Sequence, residues 1–243
     1  MNLPLEISER LTIISTKVEA AAARSGRESA EVTLIAVSKT HPPEAVSAAL
    51  EAGQRVFGES RVQEARAKIP AVPGRALWHF IGHLQKNKIR QALPWFELFH
   101  GVDSLGLARD IARIAAEEGS RPRVLLEINV AGEASKFGLS PEHLRNQMEE
   151  FLSLDRLDIG GLMCIPPPQP KAELARRYFV ALRELRDRMQ TEFRVPLPTL
   201  SMGMSGDFEV AIEEGATMVR VGTAIFGERA GKAWKPAGEG MED

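Results

Sequence analysis

Thr33-Leu34-Ile35-Ala36-Val37-Ser38-Lys39-Thr40-His41-Pro42 carries the pattern from which the fold can be read. A short run of apolar and β-branched residues ends abruptly in polar groups, and the pair Pro42-Pro43 then suits the first turn of a helix. A strand that is apolar on both faces belongs in a parallel sheet covered by helices. The same grammar recurs along the chain. Strand-like runs fall at 32–37, 55–57, 77–81, 97–100, 124–129, 157–163, 199–200 and 218–221. Segments of helical composition separate them at 43–52, 61–69, 85–91, 105–118, 141–152, 172–192 and 207–214. Ser104 and Ser140 stand where helix caps belong, and Gly53, Gly119 and Gly215 where helices stop. The run Pro166–Pro170 can continue neither sheet nor helix.

Before the first strand, Leu5, Leu11, Ile14, Val18 and Ala22 recur at helical spacing among charged residues, which predicts an N-terminal helix over about 1–26 ending at Ser25-Gly26. The stretch from Ala233 onward has no apolar period and is expected to fray. Alternating strands and helices fit either an open doubly wound sheet or a closed barrel. Eight strands in 243 residues favour closure. So does the placement of Ser38-Lys39, Glu59-Ser60, His83, Asp103, Asn129, Ser201 and Arg220 at or after strand ends, where barrels keep their active groups. The expected architecture is an α/β fold, a (β/α)8 TIM-type barrel with an extra N-terminal helix, in one domain over 1–243.

Composition narrows the function classes. Thirty-one basic against 33 acidic residues leave a net charge of −2, which gives no footprint for nucleic acid or an anionic membrane. The lone Cys164 excludes an internal disulfide and fits a reducing compartment. The first residues read as neither signal peptide nor membrane span, so a cytoplasmic location is expected. The five histidines show no metal-ligand spacing, and no metal is expected.

Lys39 is the first chemical candidate. By position alone it is a solvated lysine at a strand end or an amine in the barrel mouth; desolvation there would make it a nucleophile toward aldehydes. Ser201-Met-Gly-Met-Ser205-Gly206 and Val221-Gly222-Thr223 leave the last two strands, where barrels commonly bind phosphate. Arg220 lies inside the last strand and, if buried, needs either a carboxylate such as Glu59 or a ligand heteroatom. His79 reads as a core residue and His83 as a group that could face the mouth. Lys136 reads as a loop cation, and Cys164 as a buried thiol.

Taken together, Ala36-Val-Ser-Lys-Thr40, Phe57-Gly-Glu59, Val62-Gln-Glu64, Trp78-His-Phe-Ile-Gly82, Leu84-Gln-Lys-Asn-Lys88, Val102-Asp-Ser104, Gly161-Leu-Met163, Leu200-Ser-Met-Gly-Met-Ser205 and Val219-Arg-Val-Gly222 through Ile225-Phe-Gly227 resemble the pyridoxal phosphate homeostasis protein family. That family is similar to the N-terminal barrel of alanine racemases, a fold-type III arrangement, without their β-domain. The resemblance implies that Lys39 forms an imine with pyridoxal 5′-phosphate (PLP). It also implies that Ser201, Ser205, Gly222 and Thr223 bind the phosphate, that Arg220 lies near the pyridine nitrogen, and that Ser60 flanks the ring. A guanidinium stays protonated, so the ring nitrogen would accept and the ring would be a poor electron sink. Ser60 stands where relatives usually have asparagine, and His41 where many have a second lysine.

The implied function is a monomeric, non-catalytic carrier of PLP that serves vitamin B6 homeostasis, with PLP-dependent apo-enzymes as possible recipients. The rival is an amino-acid racemase, which needs a second proton carrier opposite the lysine. The sole tyrosine, Tyr178, is expected on the outside of a helix. A Schiff-base aldolase shares the lysine and the phosphate site but binds no chromophore.

Overall fold

The computed structural model describes residues 3–133 and 136–228, so the tail from Ala233 onward lies outside the described residues. Eight strands close on themselves in chain order. They are β1 (Thr33–Val37), β2 (Val56–Glu59), β3 (Leu77–Phe80), β4 (Leu98–Val102), β5 (Arg123–Glu127), β6 (Asp158–Met163), β7 (Thr199–Ser201) and β8 (Met218–Val221). Every pairing is parallel, and β1 meets β8 with Ile35 opposite Arg220, which completes the expected (β/α)8 TIM-type barrel.

Around the barrel run α1 (Leu3–Arg24), α2 (Pro43–Glu51), α3 (Val62–Lys68), α4 (Ile89–Ala92), α5 (Leu105–Glu117), α6 (Pro141–Leu152), α7 (Arg176–Phe193), α8 (Phe208–Glu213) and α9 (Thr223–Phe226). The helix after β8 is only four residues long, and α1 completes the ring by packing on α2, α8 and α9. Its buried stripe is Ile7, Leu11, Ile14, Val18, Ala21 and Ala22. Leu5, expected in that stripe, is exposed, because Ile7 holds the place one turn before Leu11.

Strand alternation divides the apolar residues between two cores. Ala36, Phe57, Phe80, Phe99, Leu126, Leu162, Leu200 and Val219 point outward and join the helix stripes in the main core. Leu98, Leu125 and Met163, with Met218 packed against them, fill the barrel's own interior. Ser104 and Ser140 cap α5 and α6 by accepting from the Leu107 and His143 amides. Gly53, Gly119 and Gly215 follow helix ends with positive φ, as expected.

Three elements depart from the sequence pattern. The helix expected over 85–91 begins as a 3-10 turn at Lys86–Lys88, and Pro94 soon stops it. The long helix expected from 172 likewise opens with a 3-10 turn, Ala172–Ala175. β4 runs on through Gly101 to Val102.

The tightest backbone approach is at Gly161, where the β5–β6 register skips Gly160. Gly161 has φ +154°, and a Cβ there would lie 1.9 Å from the Thr199 carbonyl oxygen. Gly161→Ala is expected to cost about 1–3 kcal/mol, as overpacking does. Gly206→Ala, at a glycine with nothing within 4 Å, should change stability little. Urea denaturation of both variants checks the contrast, and a Gly161→Ala protein as stable as the parent would contradict it.

Candidate functional site

Above the apolar floor, toward the C-terminal ends of the strands, the barrel interior turns polar. Arg220 of β8 is 4% exposed. Its Nη1 donates to the Ser201 carbonyl at 3.0 Å and to Ser201 Oγ at 2.5 Å, and its Nη2 donates to the Cys164 carbonyl at 2.9 Å. Three of five guanidinium protons are thereby used, leaving two for another acceptor. Of the alternatives open for Arg220, the ion pair with Glu59 is excluded. Glu59 has odd parity on β2, points outward, and bonds Lys68 of α3 instead. Burial pushes the Glu59 carboxyl up to about 7, against the pull of the Lys68 ammonium.

The Arg220 bonds dictate protonation states further along. Arginine only donates, so Ser201 Oγ accepts from it, and the hydroxyl proton, which would otherwise be buried without an acceptor, goes to His100 Nδ1, 2.8 Å away. His100 therefore carries its proton on Nε2 and donates to His79 Nδ1 at 3.1 Å. Both rings are held neutral. Burial, then His79 and Arg220, drive His100 far below its usual range. Burial, then Arg123, takes His79 to about 4. His79 is thus a buried residue hydrogen-bonded inside the barrel. Ser201 was expected to line a phosphate cradle, but it is fully buried and its hydroxyl is engaged on both sides.

The other residues expected in that cradle lie in the loops after β7 and β8, which touch each other. The Gly222 amide donates to Ser205 Oγ at 3.2 Å, leaving the serine proton to donate elsewhere. A Cβ on Gly222 would come within 3.3 Å of the Val37 carbonyl, so this loop abuts the end of β1 just before Ser38-Lys39. Thr223 opens α9 and is exposed. Lys39 and Thr40 follow β1, half-buried, and Ser60 follows β2, also half-buried. Gly82 has its missing Cβ occupied by the Ser60 backbone, with the Ser60 carbonyl at 2.4 Å. That contact draws the ends of β2 and β3 together. These groups come from β1, β2, β7 and β8 and share the C-terminal end of one barrel.

Across the barrel stands Glu127 of β5, 9% exposed, which the sequence did not single out. Burial and then Asp103 raise its carboxyl to about 7, while Arg220 opposes them. Asp103 pairs with His83 at 2.9 Å, and His83 stacks on Phe137 at 4.1 Å, so His83 does sit at the rim. With Ser60, Arg61, Lys88 and Phe137 it lines a cavity of about 470 Å³. Lys136 lies exposed on the loop after β5. Burial pushes the Cys164 thiol up to about 12, which leaves it inert. Tyr178 lies on the outer helix α7 against Arg177. Among the described residues no group of three His, Cys, Asp or Glu side chains could hold a metal, and no helix is long and apolar enough to cross a membrane.

Comparison with known proteins adds an independent finding. Residues 14–230 match the family model described as the alanine racemase N-terminal domain. The chain is 46% identical over 222 residues to the pyridoxal phosphate homeostasis protein of Aquifex aeolicus, covering 91% of this chain and 97% of that one. It is 42% identical over 233 residues to the protein of that name from Escherichia coli K12, covering 92% and 97%. Among solved structures it is similar to PipY of Synechococcus elongatus with PLP bound. There the TM-score is 0.79 and identity 40%, with 91% of this chain and 100% of that chain covered.

The neutral histidines give a pH signature. Well above pH 6.5 the His79 ring is neutral in both folded and unfolded chains and contributes no pH dependence. As pH falls from there toward 4, the unfolded chain takes up a proton that the folded protein refuses, so stability drops. The stability difference between the parent and His79→Gln should therefore shift against the parent by up to about 1.4 kcal/mol per pH unit in that window. Denaturant midpoints taken from pH 7.5 to 5 test this; parallel curves would mean the ring is not held neutral.

Proposed function

The chain belongs to the pyridoxal phosphate homeostasis protein family, and from that premise we propose that it holds PLP at the C-terminal mouth of its barrel, with Lys39 as the point of covalent attachment. The observation that supports this reading is that Lys39, Ser60, Arg220 and the touching loops of Ser205 and Gly222 all fall at or just after the C-terminal ends of strands of one closed barrel. The set matches the group chemically. When bound, PLP supplies an aldehyde carbon open to an amine, an acceptor nitrogen and a phosphate dianion.

The Lys39 amine meets the aldehyde. Ser205, Gly222 and Thr223 hold the phosphate, through hydroxyls and the close backbone approach that Gly222 permits. Arg220 turns one of its two remaining protons to the ring nitrogen. Ser201 enters this reading as the anchor of Arg220, since its hydroxyl is committed to the guanidinium and His100. Ser60 flanks the ring with a shorter reach than an asparagine would have.

A permanently charged donor keeps its proton and leaves the ring nitrogen unprotonated, which weakens the electron withdrawal that carbanion chemistry requires. Residues 1–243 thus act as one monomeric domain that keeps PLP bound and passes it to PLP-dependent apo-enzymes, with little turnover of its own.

The purified protein should be yellow as isolated, and borohydride should fix the cofactor on Lys39. Lys39→Ala should be colourless. If Lys39→Ala retained the visible band, the attachment point would be wrong. A parent protein that gave no visible band with added PLP would overturn the reading itself.

A further inference from the structure

Behind the mouth, between β1, β2 and α3, lies an ionic group that the proposed site does not use. Lys68 has no exposed surface, yet it is a lysine on a helix. Its ammonium donates to the Ser38 carbonyl at 2.8 Å, to Glu59 Oε1 at 2.6 Å and to Glu64 Oε1 at 2.7 Å. An ammonium has three protons, and each has an acceptor. Stability is a weak reason to keep such a group, because well-packed apolar replacements of buried ion clusters are often neutral or better.

What the cluster holds points elsewhere. Ser38 is gripped twice, through its carbonyl by Lys68 and through its hydroxyl, which donates to Glu59 Oε1 at 2.8 Å. Thr40 is gripped by Glu64, whose Oε1 accepts the Thr40 amide at 2.5 Å. The two anchored residues are the neighbours of Lys39 on either side. Thr40 moreover has φ +70°, a left-handed conformation that a β-branched residue adopts only when its surroundings impose it. The arrangement also tolerates two buried oxygens without hydrogen bonds, Glu59 Oε2 and Thr40 Oγ1. Strain and unmet polar groups gathered around one residue are features that cluster at functional sites. Lys39 and Thr40 are the central pair of a turn that the His41 amide closes on the Ser38 carbonyl at 3.0 Å, so anchoring Ser38 and Thr40 fixes the backbone on both sides of Lys39.

We propose that Lys68, Glu59 and Glu64 form a positioning unit that pins Ser38 and Thr40 and so aims the Lys39 amine at the PLP aldehyde. The unit rests on the reading that Lys39 is the attachment point. In that condensation the amine nitrogen bonds the aldehyde carbon and one water leaves. Its equilibrium constant depends on where the amine is held, whereas phosphate and ring contacts do not.

The test separates the two. Pyridoxine 5′-phosphate has the ring and phosphate but no aldehyde, so it reports binding without attachment. In full-length Lys68→Met, attachment of PLP, read from the visible band, should weaken between about tenfold and about a hundredfold. Affinity for pyridoxine 5′-phosphate, read by calorimetry, should be unchanged. Thr40→Gly, which removes the cost of the left-handed turn, should restore part of the attachment when added to Lys68→Met. If Lys68→Met does not fold, Glu64→Met removes the Thr40 anchor and one of the three Lys68 acceptors while leaving the Lys68 bonds to Ser38 and Glu59, and should show the same split. Equal attachment in parent and variant overturns the positioning unit, as does an equal loss of both ligands alongside a lower Tm. A parent protein that binds pyridoxine 5′-phosphate but never attaches PLP overturns instead the role of Lys39 on which the unit rests.

Discussion

A guanidinium cannot shed its proton, and that constraint organises the polar half of the barrel. Once Arg220 is enclosed between β7 and β1, it must be surrounded by acceptors, and it takes them from Ser201 on β7 and from Cys164 just after β6. Ser201 then has one proton to give, which fixes His100, which fixes His79. One charge thus sets hydrogen-bond directions on β8, β7, β4 and β3, with two neutral imidazoles at the far end. The apolar floor of Leu98, Leu125, Met163 and Met218 keeps water from entering below, so these bonds operate in a dry interior where they are strong and where an error in any one would be costly.

The second organising fact is the two-residue period of the strand. Each step along β1 or β2 carries a side chain through the barrel wall. Ser38 and Glu59 face the helix layer, where they meet Lys68, whereas Arg220 faces the barrel interior. Two polar systems therefore lie back to back across one wall: the Arg220 chain inside and the Lys68 cluster outside. Their common member is the short segment after β1, where Gly222 presses on Val37 from the phosphate loops and Glu64 and Lys68 hold Ser38 and Thr40 from behind.

Under the proposed function, this construction suits retention of a reactive aldehyde better than its use in catalysis. On the proposed reading, Arg220 is held by Ser201 and Cys164 before PLP arrives, which lowers the ordering cost of binding. The charge that this reading sets against the ring nitrogen is one that cannot be withdrawn. The opposite wall carries a carboxyl, Glu127, whose burial and proximity to Asp103 keep it partly protonated near neutrality, and the tyrosine lies on the outside of α7.

The sequence by itself determined the eight strands, their parallel closure and the segments that meet at the mouth, because hydrophobic period, glycine stops and serine caps are local signals. It also singled out Lys39, Arg220 and the loops of Ser205 and Gly222, since a lysine or arginine at the end of an apolar run is visible in one dimension. Tertiary structure alone decided the direction of each polar group. Glu59 faces α3 and bonds Lys68 instead of Arg220, and Ser201 proved to be a buried partner of Arg220. Lys68 escaped notice because, four residues after Glu64, it reads as one of many surface helix pairs. Its burial depends on acceptors from β1, β2 and α3 meeting at one point, and only the closed barrel brings those three segments together.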